Sequence, residues 1–352
     1  MTASDSTAQP ADRPLVSVVL PIYNRRRFLQ SAFEAINAQD VRSLEVVVVD
    51  DGSTDGSEAV VRELASTCRW PVVFLQQANQ GAYGARNTGV RACRGEYISF
   101  YDSDDVWLSK HLPTCVAALD GNPDVDWVYA ACELVDLESG RMLEPSSFYE
   151  AGKPRPFMSL RCEARGALRV ITDEGVALCQ IEHGLFCGLQ NSVLRRRVFE
   201  ALSFEAATRN EAEDQVFAIR AAKAGFRLAY VDDVHVRYHV HSENSSGTSQ
   251  GMSLAKRRRV YEPLVLGYER LEREVSLTPV EYRALRKRIG HDLFWHLGYN
   301  GYWAAGERTD ALKVFRRALH WWPWDLPQLK TFVLATVRAA LAPTPSAPQA
   351  GH

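Results

Sequence analysis

Three carboxylates crowd the segment "YISFYDSDDVW", in which Asp102, Asp104 and Asp105 follow an aromatic and β-branched run. Two like charges about 4 Å apart repel by about 1 kcal/mol even in water, so this segment needs a positive partner. Carboxylates bind Mg²⁺ and Mn²⁺, which often share their coordination shell with phosphate oxygens. Asp and Ser are also favoured in turns and at helix N-termini. The segment therefore predicts either a divalent-cation site beside a diphosphate or an ordinary turn.

A second acidic segment, "DDGSTDGS" at residues 50–57, mimics the start of an EF-hand calcium loop. The twelfth position of such a loop should be Glu, and here it is Arg62, which argues against calcium. A strand-end Asp facing a ligand hydroxyl or base edge, followed by a turn and a helix N-terminus, is the better interpretation. No G-x-G-x-x-G follows the first predicted strand, so a dinucleotide site is disfavoured.

Both acidic segments follow predicted strands. Continuous apolar runs in "LVSVVLPIY" and "LEVVVVDDGS" are typical of strands that are buried on both faces. "RRFLQSAFEAINAQ" between them has helical spacing, and "VVFLQQ" and "EYISFYDSDD" add strands separated by further helices. Such alternation predicts a mostly parallel sheet that binds ligands beyond the carboxyl ends of its strands. The polar motifs "PIYN", "DDGS" and "DSDD" all stand at predicted strand ends.

The order of the motifs carries a family resemblance. "VSVVLPIYN", "VVVVDDGSTDGS", "NQGAYGARNTG" and "FYDSDD" follow one another over residues 16–105, and "GLQNSVLRRRVFE", "EAEDQVFAIRAAKAGF" and "RYHVHSENSS" continue to residue 246. In this order they resemble the inverting family-2 glycosyltransferases of the GT-A fold. The resemblance implies a Rossmann-like, mixed but mainly parallel sheet flanked by helices. It leaves the α-helical C-terminal region unexplained.

The resemblance also implies a nucleotide-sugar site. In the family, the Pro and Tyr of the first strand flank the base, the acidic pair contacts the base or ribose, and the "ARN" element shapes the pocket. The first carboxylate of the D-x-D element lies near the ribose and the second binds the metal. The residues implied here for donor binding are Pro21, Tyr23, Asn24, Asp50, Asp51, Arg86, Asn87, Asp102 and Asp104. An Arg near an acidic loop is alternatively a structural ion pair.

The metal ligands implied are Asp104 and Asp102, with His241 as a further candidate because it matches a His of the family. A His at a strand end is equally often a packing residue. The cofactor expected is Mn²⁺ or Mg²⁺, because a divalent ion neutralises the charge on a departing nucleoside diphosphate.

Inversion in one displacement also requires a base that takes the proton of the acceptor hydroxyl. Asp214 in "NEAEDQVFAIRAAKAG" falls in the first turn of a predicted helix, where the helix dipole is expected to favour the ionised carboxylate. Acids are common in first turns without any catalytic role. The family's "ED" element favours Asp214 as the general base, and Glu213 is the alternative.

The 352 residues are 46% hydrophobic and 24% charged, which is ordinary for globular proteins. We expect a disordered leader over residues 1–14, a GT-A domain over 15–250, a helical region over 251–342 and a flexible tail over 343–352. Residues 295–323 have the spacing of a tetratricopeptide hairpin. One hairpin is expected rather than a solenoid, which needs at least three repeats.

The net charge of −2 argues against a nucleic-acid partner. Scattered cysteines without a C-x-x-C pair fit a reducing, cytoplasmic compartment, and no secretory signal is visible. "TFVLATVRAALA" is too short to span a membrane. Tryptophans and basic residues near it suit a membrane interface, and core packing is the alternative. A peripheral association of the C-terminal region with the inner face of the membrane therefore stays open.

The predicted function is metal-dependent, inverting transfer of a sugar from a nucleotide-diphosphate sugar to a hydroxyl acceptor. The acceptor is expected to be lipid-linked or otherwise to belong to cell-surface polysaccharide or glycolipid biosynthesis. A non-catalytic nucleotide-sugar or carbohydrate-binding protein, or a scaffold that acts through the helical C-terminal region, is the alternative.

Overall fold

The computed structural model describes residues 13–209, 212–241, 244 and 252–341. The predicted leader therefore lies outside the described residues except for Arg13 and Pro14, and the predicted tail over 343–352 lies outside them completely. The chain divides into two compact units between Ser245 and Ser246, with Glu274–Ser276 assigned to the first unit.

The first unit is built from short strands and helices that alternate along much of its length. Its strands are β1 Val16–Ile22, β2 Leu44–Asp50, β3 Val72–Gln76, β4 Tyr97–Phe100, β5 Val106–Trp107, β6 Trp127–Asp136, β7 Met142–Glu144, β8 Tyr149–Glu150, β9 Lys153–Pro154, β10 Cys162–Arg165, β11 Leu168–Ile171, β12 Ser192–Arg195 and β13 Leu228–Val240. Its α-helices are α1 Leu29–Asn37, α2 Ser57–Thr67, α3 Ala82–Ala92, α4 His111–Asp120, α5 Val176–Glu182, α6 Arg196–Ala201 and α7 Glu213–Lys223. Short 3₁₀ helices span Arg26–Phe28 and Pro156–Ser159.

Most strands join one large sheet in the order β10-β11-β13-β6-β12-β4-β1-β2-β3, with β5 beside β13 and β7 beside β6. Strand β1 runs parallel to β2 and β4, β2 runs parallel to β3, and β13 runs parallel to β6. Strand β12 lies antiparallel between β4 and β6. The predicted fold class, a mixed, mainly parallel GT-A sheet flanked by helices, is confirmed.

The centre of the sheet is covered on both faces. All seven residues of β2 are buried, as a continuous apolar run requires. Helix α3 lies close against β1, because a Cβ atom on Gly89 would come within 2.4 Å of Cγ1 of Val19. Glycine at this position permits the close approach, which fixes α3 against the strand whose end borders the candidate site.

The second unit is helical in its described residues. It contains α8 Leu254–Glu274, α9 Pro279–His291, a π-helix over Asp292–Trp303, α10 Arg308–Trp321 and α11 Leu326–Ala340. The predicted hairpin over 295–323 covers most of the π-helix and all of α10. A Cβ atom on Gly298 would approach the Phe315 ring to 2.6 Å, so this glycine lets the two helices pack closely. No helix in the described ranges is long and apolar enough to cross a bilayer.

Candidate functional site

Neighbouring parallel strands deliver the acidic segments to one edge of the sheet. Ile22 pairs with Asp50 where β1 and β2 end. The backbone N–H of Tyr101, directly after β4, donates to the carbonyl oxygen of Val19 in β1 at 2.9 Å. The acidic segments after β2 and β4 therefore leave the sheet on either side of the end of β1.

Asp104 lies between an imidazole and a guanidinium group. Its Oδ2 atom is 3.1 Å from Nε2 of His241 and 3.7 Å from Nη2 of Arg25. The Asp104 side chain is 15% exposed and the His241 side chain is 4% exposed, so water screens this contact weakly. Arg25 supplies part of the positive charge that the acidic segment requires.

His239 of β13 holds the acidic loop from the other side. Its backbone N–H donates to Oδ1 of Asp105 at 3.1 Å, and its Nδ1 lies 2.7 Å from the carbonyl oxygen of Asp104. Asp105 is buried, and burial together with the charges of Asp104 and Asp102 raises its pKa well above the ordinary value. The surroundings of Asp105 therefore disfavour its ionised form.

Asp102 pairs with a different cation. Oδ1 of Asp102 accepts a hydrogen bond from Nη2 of Arg86 at 2.6 Å. Arg86 is buried, with its guanidinium 4.6 Å from the ring centroid of Tyr83. Burial is the largest single effect and lowers the pKa of the Arg86 guanidinium, but the combined effects of Asp102, Tyr83 and Asp214 outweigh it, so the net pKa is raised. Arg86 thus makes the structural ion pair anticipated as the alternative, and a contact of Arg86 with a donor stays a prediction.

Asp214 lies in the first turn of α7 and is electrostatically coupled to this ion pair. Its backbone N–H donates to the Tyr83 hydroxyl at 3.1 Å, and its Oδ1 accepts from the Gln215 N–H at 3.0 Å. Loss of hydration raises the pKa of Asp214, while the charge of Arg86 opposes that shift. The net shift of the Asp214 pKa is therefore upward, and the contribution expected from the helix dipole stays a prediction.

Glu213, the alternative base, points into the protein. Its side chain is fully buried, and Oε1 accepts from the backbone N–H of Glu205 at 3.0 Å and lies 3.8 Å from Nη1 of Arg220. These contacts fix the segment that precedes α7. Its assignment as a base stays a prediction that the geometry supports less well than Asp214.

The family model described as "Glycosyl transferase family 2" matches residues 17–201, which is more than half of the chain. The chain belongs to glycosyl transferase family 2. An uncharacterized glycosyltransferase of Nostoc is 37% identical over 121 residues, which cover 34% of this chain and 37% of that protein. The GalNAc(5)-diNAcBac-PP-undecaprenol beta-1,3-glucosyltransferase of Campylobacter jejuni is 34% identical over 142 residues, 38% of this chain and 45% of that protein. The matched segments thus span less than half the length of these two curated relatives.

Solved structures show the same fold. Residues 1–349 of S. aureus TarS in complex with UDP-GlcNAc superpose with a TM-score of 0.59 at 20% identity, covering 87% of this chain and 81% of that one. The mannosyltransferase PcManGT of Pyrobaculum calidifontis, in complex with GDP-Man and Mn²⁺, gives a TM-score of 0.52 at 21% identity, with coverage of 94% and 82%. At these identities the likeness establishes the fold alone.

The acidic pair of this family-2 chain has internal partners. Oδ1 of Asp50 accepts from the Ser53 N–H at 2.9 Å and stabilises the turn after β2. The carboxylate of Asp51 accepts from the backbone N–H groups of Gln80 and Gly81, each at 2.8 Å. Both aspartates therefore position the loops at the edge of the sheet, and a contact of either with a base or ribose stays a prediction.

The end of β1 joins the loop after β2. Oδ1 of Asn24 accepts from the Thr54 N–H at 2.8 Å, and the Asn24 N–H donates to the Ser53 hydroxyl at 2.9 Å. Tyr23 is 49% exposed, and Pro21 is half-buried within β1. The exposed Tyr23 ring is free to stack on a planar ligand, which is the role that the resemblance implies.

Asn87 ties α3 to the segment that leads to α7. Its Nδ2 donates to the carbonyl oxygen of Phe204 at 2.8 Å, and its Oδ1 accepts from the Phe204 N–H at 3.1 Å. Both ends of the amide are thus used within the protein. Asn87 positions the approach to Asp214, and donor binding by its side chain stays a prediction.

The donor atoms at Asp104 fit a divalent cation. Oδ2 of Asp104 and Nε2 of His241 are 3.1 Å apart, which is an ordinary hydrogen-bond distance and is also close to the spacing of about 3.0 Å between adjacent ligands of an octahedral ion. Nδ1 of His241 is buried and has no hydrogen-bond partner among the described residues. Carboxylate and imidazole are both ligands of Mn²⁺-class ions. Asp102, by contrast, has one oxygen occupied by Arg86.

Sequence reasoning missed Arg25 and Tyr83. Arg25 belongs to the "NRRRF" run after β1, and a basic run beside an acidic loop was an available signal. Tyr83 stands in "GAYGARN" one turn before Asn87, but only the fold brings its hydroxyl to Asp214. The role of His239 depends on the register of β13, which the sequence does not specify.

Proposed function

We propose that this chain transfers a sugar from a nucleoside-diphosphate sugar to a hydroxyl acceptor with inversion, assisted by a divalent cation. The observation that carries the proposal is the pairing of Asp104 with His241 at 3.1 Å beyond the sheet edge, with Asp214 coupled to the Asp102–Arg86 ion pair. Family membership and the GT-A fold support the same reaction. The neighbours solved with UDP-GlcNAc and GDP-Man suggest two donors to test first.

In this proposal Asp104 and His241 hold the cation, and Arg25 faces the diphosphate. The cation, when bound, neutralises charge on the departing nucleoside diphosphate. Asp102, fixed by Arg86, contacts the ribose.

Asp214 accepts the proton of the acceptor hydroxyl. At the same time the hydroxyl oxygen of the acceptor forms a bond to the anomeric carbon, and the bond from that carbon to the diphosphate breaks. The electron pair of the broken bond leaves with the nucleoside diphosphate. A pKa raised by loss of hydration suits this role, because a more basic carboxylate takes a proton more readily.

A panel of nucleotide sugars, screened by thermal stabilisation with and without Mn²⁺, tests donor binding. A ligand present at 100 times its Kd stabilises the folded state by about 2.7 kcal/mol, so the correct donor should raise Tm by several degrees and only weakly without Mn²⁺. Stabilisation by a donor without release of nucleoside diphosphate with any acceptor would favour the non-catalytic alternative. Equal stabilisation with and without Mn²⁺ would contradict metal dependence.

We also propose a lipid-linked acceptor reached from a membrane surface through α11. The Campylobacter relative acts on an undecaprenol-linked substrate by its name. Helix α11 leaves Leu326, Val333, Leu334 and Val337 exposed on one side. The helix carries Lys330 and Arg338 and no acidic residue. An apolar stripe with basic neighbours suits the surface of an anionic bilayer.

Co-sedimentation with phosphatidylglycerol vesicles tests this surface. The parent chain should sediment with anionic vesicles, and Val337→Glu should reduce that binding at least about 10-fold, because a charge in the apolar stripe costs more than about 1.4 kcal/mol on insertion. Val280→Glu on α9 is the matched control, since Val280 is 61% exposed and Val337 is 50% exposed. Equal losses for the two variants, or no vesicle binding by the parent, would contradict the membrane proposal.

A further inference from the structure

A second group of metal-ligating side chains lies in the first unit, apart from Asp104. His111 is the first residue of α4, Cys115 follows one turn later on the same helix face, and His235 lies on β13. His111, Cys115 and His235 are all fully buried. The Cys115 sulfur is 4.0 Å from Nδ1 of His111 and 3.9 Å from Nδ1 of His235.

These distances are close to those of a metal site. Sulfur and nitrogen ligands of a tetrahedral zinc ion lie about 3.6 Å apart, given Zn–S of about 2.3 Å and Zn–N of about 2.1 Å. The Cys115–His111 and Cys115–His235 separations exceed that value by about 0.4 Å. A small shift of side chains would close them around an ion.

Ordinary packing leaves these rings poorly satisfied. Nε2 of His111, the ring nitrogen that does not face Cys115, is buried without a hydrogen-bond partner among the residues that the structure describes, and Nε2 of His235 has only a long contact of 3.7 Å with Oδ2 of Asp233. Buried polar atoms of this kind are uncommon in native proteins. The Nδ1 atoms of His111 and His235 each make a long contact with the Cys115 sulfur, so both nitrogens face that sulfur.

The surroundings of His235 match the outer shell of a zinc ligand. Its Nε2 lies 3.7 Å from Oδ2 of Asp233, and that oxygen accepts a hydrogen bond from Lys110 at 2.6 Å. Zinc-bound histidines usually direct their second ring nitrogen toward a carboxylate, which fixes the tautomer and the ring orientation. Asp233 is placed to accept a hydrogen bond from Nε2 of His235 once the side chains move closer together around an ion.

We infer that His111, Cys115 and His235 form a buried three-ligand site for a zinc-class cation. A thiolate with two imidazoles selects Zn²⁺ over the harder Mn²⁺ or Mg²⁺, so this site and Asp104 would hold different ions. Water would complete a four-coordinate shell. The inference does not depend on the proposed sugar transfer.

The site has a consequence for the acidic loop. Its ligands join α4 to β13, and the His235 carbonyl already accepts a hydrogen bond from the Leu108 N–H at 2.9 Å. Trp107 of β5 pairs with Val236 of β13. A zinc ion bound by these ligands would cross-link α4, which follows the acidic loop, to β13, the strand that carries His239.

Metal analysis of the full chain, purified without chelator from zinc-supplemented cells, tests the site. We expect about one zinc per chain. Protein from cells grown with Co²⁺ in place of Zn²⁺ should show thiolate-to-cobalt charge-transfer absorption. Cys115→Ala should abolish both signals, whereas Cys179→Ala, which removes a buried helical cysteine elsewhere, should retain them.

His291→Gln is a further control, because His291, Asp292 and His296 form a separate cluster of potential ligands. Zinc lost in His291→Gln and kept in Cys115→Ala would overturn the inference. If Cys115→Ala fails to fold, the zinc content and the cobalt absorption of the parent chain still test the inference. Parent protein that folds, carries well under one zinc and gives no cobalt–thiolate band would also overturn it.

Discussion

Asp214→Asn should lower kcat by about 10²- to 10⁴-fold, the range that general acid–base catalysis contributes. Asparagine keeps the shape of the side chain and an oxygen acceptor for the Gln215 N–H, but it cannot take the acceptor proton. Donor affinity should change little, because the proposed donor contacts lie on other residues. Steady-state kinetics and calorimetric donor binding of the parent and the variant measure the two effects separately.

The control for this assignment is Glu213→Gln. Gln keeps an oxygen for the Glu205 N–H, so this variant should lose some stability through Arg220 and retain most of its turnover. A severe loss of kcat in Glu213→Gln with normal turnover in Asp214→Asn would mean that Glu213, and not Asp214, is the general base.

The pH profile gives a second measure of Asp214. Because the pKa of Asp214 is raised, the ionised base is lost as the pH falls through a pKa above the ordinary Asp value. The acidic limb of the kcat profile should therefore lie above the ordinary Asp pKa. A side-chain hydrogen bond between the Tyr83 hydroxyl and the Asp214 carboxyl lowers this pKa less than the charge of Arg86 does, so Tyr83→Phe should move the limb to higher pH by a small amount. A limb moved to lower pH by Tyr83→Phe would argue against Asp214 as the titrating group.

Asp104→Ala should abolish measurable transfer. Lewis-acid stabilisation by a bound cation is worth several kcal/mol, and each 1.4 kcal/mol is about a factor of ten, so turnover should fall by at least about 10³-fold. Mn²⁺-dependent binding of the nucleoside diphosphate should disappear together with turnover. Titration calorimetry with Mn²⁺ and the nucleoside diphosphate measures this loss directly.

Asp105→Asn is the matched control in the same loop. Burial raises the pKa of Asp105, and asparagine retains the oxygen that accepts from the His239 N–H. We expect Mn²⁺-dependent binding within about threefold of the parent, a difference of less than 1 kcal/mol. Equal losses in both variants would mean that Asp104→Ala acts by disturbing the loop.

The parallel half of the sheet was predictable from sequence because its information is local. The apolar runs of β1 and β2 are buried on both faces, so hydrophobic pattern alone identifies them. The carboxyl ends of parallel strands share an edge by geometry, which brings Asp102 and Asp50 to one side of the sheet. The motif order then suggested the family that the comparisons establish.

The remaining parts depend on contacts that are distant in sequence. Strand β12 has four residues and lies antiparallel between β4 and β6, a placement that its short sequence does not encode. Strand β13 shifts register against β6 between Val231 and Val236, and this shift precedes His239 and His241. The pKa of Asp214 depends on burial that only the assembled core creates. The grouping of Cys115 with His235, 120 residues later, has the same origin.

A crystal structure of the chain with Mn²⁺ and the donor selected by the screen would show whether the acidic loop holds the metal and the diphosphate. We expect Mn²⁺ within about 2.2 Å of an Asp104 carboxylate oxygen, bound also to diphosphate oxygens, with the anomeric carbon facing Asp214. A diphosphate bound away from Asp104, with no cation between them, would contradict this prediction.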